Sequence, residues 1–182
     1  MKKVLIPLFT GFEEMEAIVL IDVLRRASIQ VDSASLDSSP ILASRMTRHL
    51  SDIKLSDVKV DEYEMILLPG GIKGTEEMMN SDLLHKIIYE FEKQNLWIGA
   101  ICAAPNVLRQ LLIIDSETEF TCFPSSLDLA EGGVYKDKRI VESGKILTSI
   151  GPGSAFEFAL FLIEKLVGNE IKNKVEAGLK LP

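Results

Sequence analysis

Leu96-Trp97-Ile98-Gly99-Ala100-Ile101-Cys102-Ala103-Ala104-Pro105 is the stretch that decides the fold. Leu96 to Ile101 carries no charge and reads as a strand buried on both faces. A short helix over Ala104–Leu111 follows with almost no loop between them. An uncharged strand that turns directly into a helix is the unit of a parallel sheet covered on both sides. The same order recurs outward from it. Met65–Leu68 reads as a short buried strand ending in Pro69-Gly70-Gly71, and Ser81–Gln94 as a helix with Asn80 or Ser81 as its cap. Toward the N-terminus lie a strand over Lys3–Phe9, a helix over Glu13–Ala27 and an alternating strand over Ile29–Leu36. Toward the C-terminus, Glu119–Phe123, Arg139–Ser143 and Ile146–Ser149 read as strands and Ser154–Val167 as a strongly apolar helix. Strand, helix, strand at this spacing requires right-handed crossovers, hence an α/β three-layer sandwich with a mostly parallel central sheet and helices on both faces. Asp37 to Asp61 is the least regular part, with room for a small hairpin and loops.

Thr10 with Glu13, and Ser154 with Glu157, fit capping boxes at two helix starts. The first helix contains Ala17-Ile18-Val19-Leu20-Ile21 and is apolar around its whole circumference. Such a helix is covered on more than one side, which points to the sheet and to a second subunit.

Composition narrows the function. The 182 residues suit one domain, 1–182, large enough to bury about 70% of its unfolded surface without disulfides or a metal. Hydrophobic residues make up 47% and charged residues 26%, a globular balance. A net charge of −7 repels phosphate backbones and anionic membranes, so nucleic acid and membrane surfaces are not expected partners. Two cysteines exclude the disulfide-rich secreted class and fit reduced thiols in a cytoplasmic protein. Met1-Lys2-Lys3 and the apolar run after it imitate a signal peptide, but the run is short and Glu13, Glu14 and Glu16 follow at once.

Ligands of parallel α/β sheets bind beyond the carboxyl ends of the strands. There the chain places Thr10–Glu16 after the first strand, Pro69–Gly74 after the third and Cys102-Ala103-Ala104-Pro105 after the fourth. A carboxylate, a glycine turn and a thiol share one edge. Cys102 sits at a strand-to-helix elbow that exposes a nucleophile, and amides at the helix start favour the thiolate and should lower its pKa. Simple packing would also explain a small thiol flanked by alanines. Glu16 follows Met15 at the start of the apolar run, where burial would raise its pKa and let it share a proton with the thiol; acids in a first helical turn also simply complement the dipole. Gly70-Gly71 matches no nucleotide motif, and reads as a turn needing positive φ or as a backbone amide for an oxyanion. His49 and His85 stand at no metal-ligand spacing and read as bystanders. Cys122 reads as a strand residue, with a regulatory disulfide to Cys102 as a lesser expectation. No cofactor and no metal are expected.

Glu13-Glu14-Met15-Glu16, Leu68-Pro69-Gly70-Gly71, Ala100–Pro105, and Leu147–Gly153 followed by Phe156-Glu157-Phe158-Ala159 together resemble the ThiJ/PfpI superfamily. The nearest branch is that of the Parkinsonism-associated deglycase (DJ-one) and its bacterial homologues. The resemblance runs from about Lys3 to about Val175. It implies a flavodoxin-like sandwich and a homodimer packed partly through the first helix. It implies Cys102 as the reactive cysteine, Glu16 as the carboxyl at its sulfur, and the Gly70-Gly71 turn with Ala103 as the oxyanion and substrate-binding site, through the Gly71 and Ala103 amides. Arg45 matches an arginine that the family brings toward the partner's site. The activities implied are cofactor-independent conversion of methylglyoxal or glyoxal to a hydroxy acid, repair of early glycation adducts, and oxidative-stress sensing.

Two departures shift that expectation. The family often has a histidine just before the proline at Pro124; here it is Phe123. Without that base a peptidase triad is not expected, and a glyoxalase loses a proton-transfer aid typically worth about 10²–10⁴ in rate. Ile150 stands where arginine is common, leaving the site more apolar and an anionic substrate less well held. The expected function is a stress-protection protein acting on small α-oxoaldehydes through Cys102. The alternative is a redox sensor or chaperone that answers peroxide by oxidation of Cys102. A flavin carrier finds no phosphate cradle in the loops.

Overall fold

The computed structural model describes residues 2–37 and 39–181; Met1 of the Met1-Lys2-Lys3 opening, Ser38 of the irregular stretch and Pro182 lie outside them. Seven strands form the central sheet: β1 (Lys3–Pro7), β2 (Gln30–Ser35), β5 (Ile53–Lys54), β6 (Met65–Leu68), β7 (Trp97–Ile101), β10 (Ile140–Ser143) and β11 (Ile146–Ser149). Their order is β10-β11-β7-β6-β1-β2-β5, and β10 alone runs antiparallel to its neighbour. The parallel run β2-β1-β6-β7-β11 is the flavodoxin-like order, which reverses direction between β1 and β6. Crevices of such sheets open at that reversal.

The side-chain period of two explains why the strands carry no polar face. Val4, Ile6, Met65 and Leu67 point into one core layer with Leu20, Leu24, Phe158 and Leu162, from helices α1 (Glu14–Arg26) and α5 (Ala155–Val167). Leu5, Ile66, Leu68, Ile98 and Ala100 point into the other, with Leu84, Ile88, Phe91, Val107 and Leu108 from α3 (Asp82–Lys93) and α4 (Pro105–Gln110). Ser81 caps α3, its hydroxyl accepting from the Leu84 amide. The irregular stretch holds the expected hairpin, β3 (Ile41–Leu42) with β4 (Arg48–His49), and then β5 followed by two short 3₁₀ turns. Among the described residues no helix is long and apolar enough to cross a membrane.

Several local expectations are corrected. Helix α1 starts at Glu14 with Glu13 in the cap position and no side-chain cap, so Thr10 forms no capping box. Ser154 forms none with Glu157 either: its hydroxyl faces Gly151 and Ser149, and Glu157 pairs with Arg139. In both places tertiary partners outcompete the local pairing. Helix α2 (Ile72–Met79) and helix α6 (Asn169–Leu179) were not expected, nor was the short pairing of β8 (Glu119–Phe120) with β9 (Val134–Tyr135). Gly74 inside α2 argues against a helix by propensity. It is required by packing, because a Cβ there would lie 2.8 Å from Phe12 Cα. Cys122 lies past the end of β8, in the loop leading to a 3₁₀ turn at Pro124–Leu129.

Candidate functional site

The loops after β1, β6 and β7 meet at the crevice between β1 and β6. The first two are laced together by backbone: the Glu13 amide donates to the Gly70 carbonyl at 2.8 Å. Gly71 has φ +94°, the left-handed region that disfavours side chains, and turns the chain into α2. After β7, Cys102 itself has φ +63°, a strained conformation for a residue with a Cβ. Two backbone hydrogen bonds hold it there: its amide donates to Ser149 O at 2.9 Å, and the Phe123 amide donates to its carbonyl at 2.8 Å. The end of β11 on one side and the loop before the Pro124–Leu129 turn on the other thus over-determine a strained elbow, as functional sites tend to do.

Glu16, in the first turn of α1, is fully buried beneath this elbow. Its Oε2 accepts from the Gly70 amide at 2.8 Å; its Oε1 is buried without a hydrogen-bond partner. The Cys102 thiol lies beside this carboxyl and favours its charged form. Gly70 keeps them close: a Cβ on it would lie 2.6 Å from Cys102 Cβ and 2.8 Å from Glu16 Oε2. Only glycine allows the two side chains to converge on that point.

Burial pushes the Glu16 carboxyl up to about 7, against the Gly70 amide and the thiol, which lower it; the Glu13 charge adds to the rise. Burial also pushes the Cys102 thiol well above its ordinary range, and the Glu16 carboxylate beside it pushes further. Hydrogen bonds from the Gly71 and Ala103 amides pull the other way. The expectation of a lowered thiol pKa is therefore corrected while Glu16 is ionised. Helix α4 begins only at Pro105 and has six residues, too little to offset burial and a neighbouring charge. The pair titrates as a unit that holds one proton above neutrality.

Cys102, 8% exposed, opens onto a cavity of about 420 Å³ lined also by Glu13, Arg45, Gly71, Lys73 and Phe123. The expected site residues fall as follows. Cys102, Glu16, Gly71 and Ala103 come together. The Gly70 amide is committed to Glu16, so Gly70 positions the carboxyl and leaves the sulfur to the Gly71 and Ala103 amides. Arg45, on the turn between β3 and β4, lies at the cavity mouth, and its backbone amide donates to Glu14 Oε1 at 2.9 Å. Glu14 also accepts from the Ser44 and Thr47 hydroxyls and ties that hairpin to α1. Burial raises its pKa, but these hydrogen bonds outweigh it and hold the carboxyl low.

His49 bonds Thr47 Oγ1 and packs edge-on against Phe12, and His85 bonds the Met78 carbonyl. Cys102 and Cys122 are both free, and they belong to core layers on opposite faces of the sheet. Among the described residues no three His, Cys, Asp or Glu side chains are grouped as a metal would require. Sequence reasoning missed Lys73 and the Ser44–Glu14–Thr47 anchor, since only the fold brings the hairpin to the first helix.

A flavodoxin-like sandwich with a strained cysteine elbow beside its topological switch and a buried carboxyl near the thiol defines the class of α/β protein to which this chain conforms. This chain belongs to the DJ-1/PfpI family, whose sequence pattern matches residues 2–165. Its fold superposes on the crystal structure of Drosophila melanogaster DJ-1beta with a TM-score of 0.94 and 38% identity, covering 100% of this chain and 98% of that one. It is 37% identical over 165 residues to the glutathione-independent glyoxalase DJR-1.2 of Caenorhabditis elegans, covering 90% of this chain and 87% of that protein. Protein DJ-1 homolog B of Arabidopsis thaliana is 34% identical over 169 residues; these span 92% of this chain but only 39% of that longer protein.

Proposed function

We propose that this protein is a cysteine-dependent, cofactor-independent stress-protection enzyme that converts small α-oxoaldehydes such as methylglyoxal to 2-hydroxy acids. The observation that carries the reading is the Cys102–Glu16 pair: one thiol and one fully buried carboxyl converging at Gly70, under two amides, at the floor of a cavity. Kinship to a glutathione-independent glyoxalase supports it.

The steps balance without an outside oxidant. With the shared proton on Glu16, the Cys102 thiolate adds to the aldehyde carbon, and the carbonyl electron pair moves to oxygen beneath the Gly71 and Ala103 amides. Glu16 gives its proton to that oxyanion, completing a hemithioacetal. The resulting carboxylate removes the C1 hydrogen, the C1 hydroxyl proton passes to the C2 oxygen, and the enediolate is reprotonated at C2 from the same carboxyl. The product is a thioester, which water hydrolyses to the 2-hydroxy acid and free thiol. C1 is oxidised and C2 reduced, so the sum is addition of water. Methylglyoxal turnover with identification of lactate, in wild type, Cys102→Ser and Glu16→Gln, tests this: many turnovers lost in both variants are expected, and full turnover in either overturns it.

The proposal includes a cytoplasmic homodimer whose contact uses the outer face of α1, where Met15 is 59% and Ile18 43% exposed.

One observation favours a second reading, the redox sensor. The unpartnered Glu16 Oε1 would, once protonated, donate to an oxygen on the sulfur. Oxidation of the thiolate by two molecules of peroxide to a sulfinate, with release of two waters, needs no general base. A sensor consumes peroxide stoichiometrically; an enzyme turns over aldehyde many times per subunit.

A further inference from the structure

The cavity above Cys102 has a charged mouth that the thiol and its carboxyl do not use. Lys73 is the second residue of α2, and its stem lies across Gly11. A Cβ on Gly11 would come within 2.6 Å of Lys73 Cβ and 2.9 Å of its Cγ, and Gly11 has φ +87°. Glycine is required there on both counts, and the lysine stem is seated on bare backbone. Lys73 and Arg45 both line the cavity that Cys102 opens onto. Among the described residues neither cation joins an ion pair, so the charge of each is open to a ligand in the cavity. The one acid of the lining, Glu13, has its Oε2 engaged by the Ser44 hydroxyl at 2.7 Å. Lysine in a first helical turn also opposes the helix dipole, so its charge adds to the positive potential of the α2 amides.

The cavity is also larger than its simplest substrate needs. About 420 Å³ lies in the range that holds drug-sized ligands, and a three-carbon oxoaldehyde fills a small part of it. A longer substrate with its aldehyde at Cys102 would carry its far end to Lys73 and Arg45.

We propose that Lys73, with Arg45 beside it, is a specificity-determining residue that selects α-oxoaldehydes bearing a carboxylate several bonds from the dicarbonyl. This rests on the glyoxalase reading above, and the two cations would hold an anion without the arginine whose place Ile150 takes. The carboxylate sits at the mouth cations, while the oxyanion formed on addition sits at the Gly71 and Ala103 amides, so the two negative charges are met by separate donors. For 4,5-dioxopentanoate the reaction adds water and gives a five-carbon 2-hydroxy diacid. The aldehyde carbon is oxidised and the ketone carbon reduced, as for methylglyoxal.

The test compares kcat/KM for 4,5-dioxopentanoate and for neutral 2-oxopentanal in wild type and Lys73→Met. Wild type should prefer the carboxylate, and the variant should lower that preference roughly fivefold, as for one exposed charge pair. Added salt should erode the wild-type preference in the same direction. An equal preference in both proteins, with both aldehydes turned over, overturns the inference and leaves the glyoxalase reading standing. If neither aldehyde is turned over, the glyoxalase reading falls, and alkylation decides the charge recognition by itself. The ratio of Cys102 alkylation rates by iodoacetate and iodoacetamide should fall roughly threefold or more in Lys73→Met. An unchanged ratio overturns the role of Lys73.

Discussion

The Phe123 amide donates to the Cys102 carbonyl at 2.8 Å, so the residue in the family's histidine position is tied to the backbone of the nucleophile. Its ring is 40% exposed and packs over Gly151, where a Cβ would lie 3.1 Å from Phe123 Cδ2. Position and proximity are thus kept where a base is missing. Phe123→His should raise methylglyoxal kcat about 10²-fold, the lower end of general acid–base assistance. An unchanged kcat, with the variant folded by circular dichroism, would show that Glu16 alone handles the proton transfers.

The burial of Glu16 has a pH signature. Its carboxyl titrates at 4.5 when unfolded and at about 7 when folded, so the folded state binds the extra proton between those values. The stabilisation is complete below pH 4.5 and is lost as pH rises through 7. A shift of that size corresponds to a few kcal/mol, on the order of 3. Glu16→Gln has no charge to bury, and denaturant titrations should show its stability gaining on wild type from pH 4.5 to 7.5. A pH-independent difference would mean that Glu16 stays ionised throughout.

Gly70 keeps the site open by what it lacks. Gly70→Ala would drive a methyl between Cys102 Cβ, Glu16 Oε2 and the Ile101 carbonyl, at 2.6, 2.8 and 2.9 Å. Overpacking of this kind costs about 1–3 kcal/mol. The larger loss should be in reactivity, since the thiol and carboxyl must separate. A Cys102 alkylation rate equal to wild type would contradict that geometry.

The dimer proposal makes a simple demand. Ile18 is half exposed on a helix whose inner face, including Ala17, Leu20 and Leu24, is already packed on the sheet and α5. Ile18→Glu should halve the sedimentation mass at micromolar concentration while leaving the far-ultraviolet circular dichroism intact. An unchanged mass would place the contact elsewhere or show a monomer.

The architecture was legible because both-face burial writes itself as uninterrupted apolar runs: Met65–Leu68 and Trp97–Ile101 can only be interior strands. The elbow was legible too, since Cys102 stands where such a run stops, and so was the acid, since Glu16 opens an apolar helix. What those residues do to one another was not. The raised thiol pKa, the commitment of the Gly70 amide to Glu16 and the two absent capping boxes depend on partners distant in sequence, which displaced the local pairings that sequence suggests. Helix α2 is not legible in the sequence because Gly74 lowers its helix propensity for the sake of a close approach to Phe12. Lys73 became informative only once the β3–β4 hairpin had brought Arg45 to the same cavity. Short-range patterning, governed by burial and backbone sterics, determined the layers and the edge on which the chemistry sits. The tertiary structure alone decided distances, desolvation and which groups shift one another's pKa, because these depend on which loops meet.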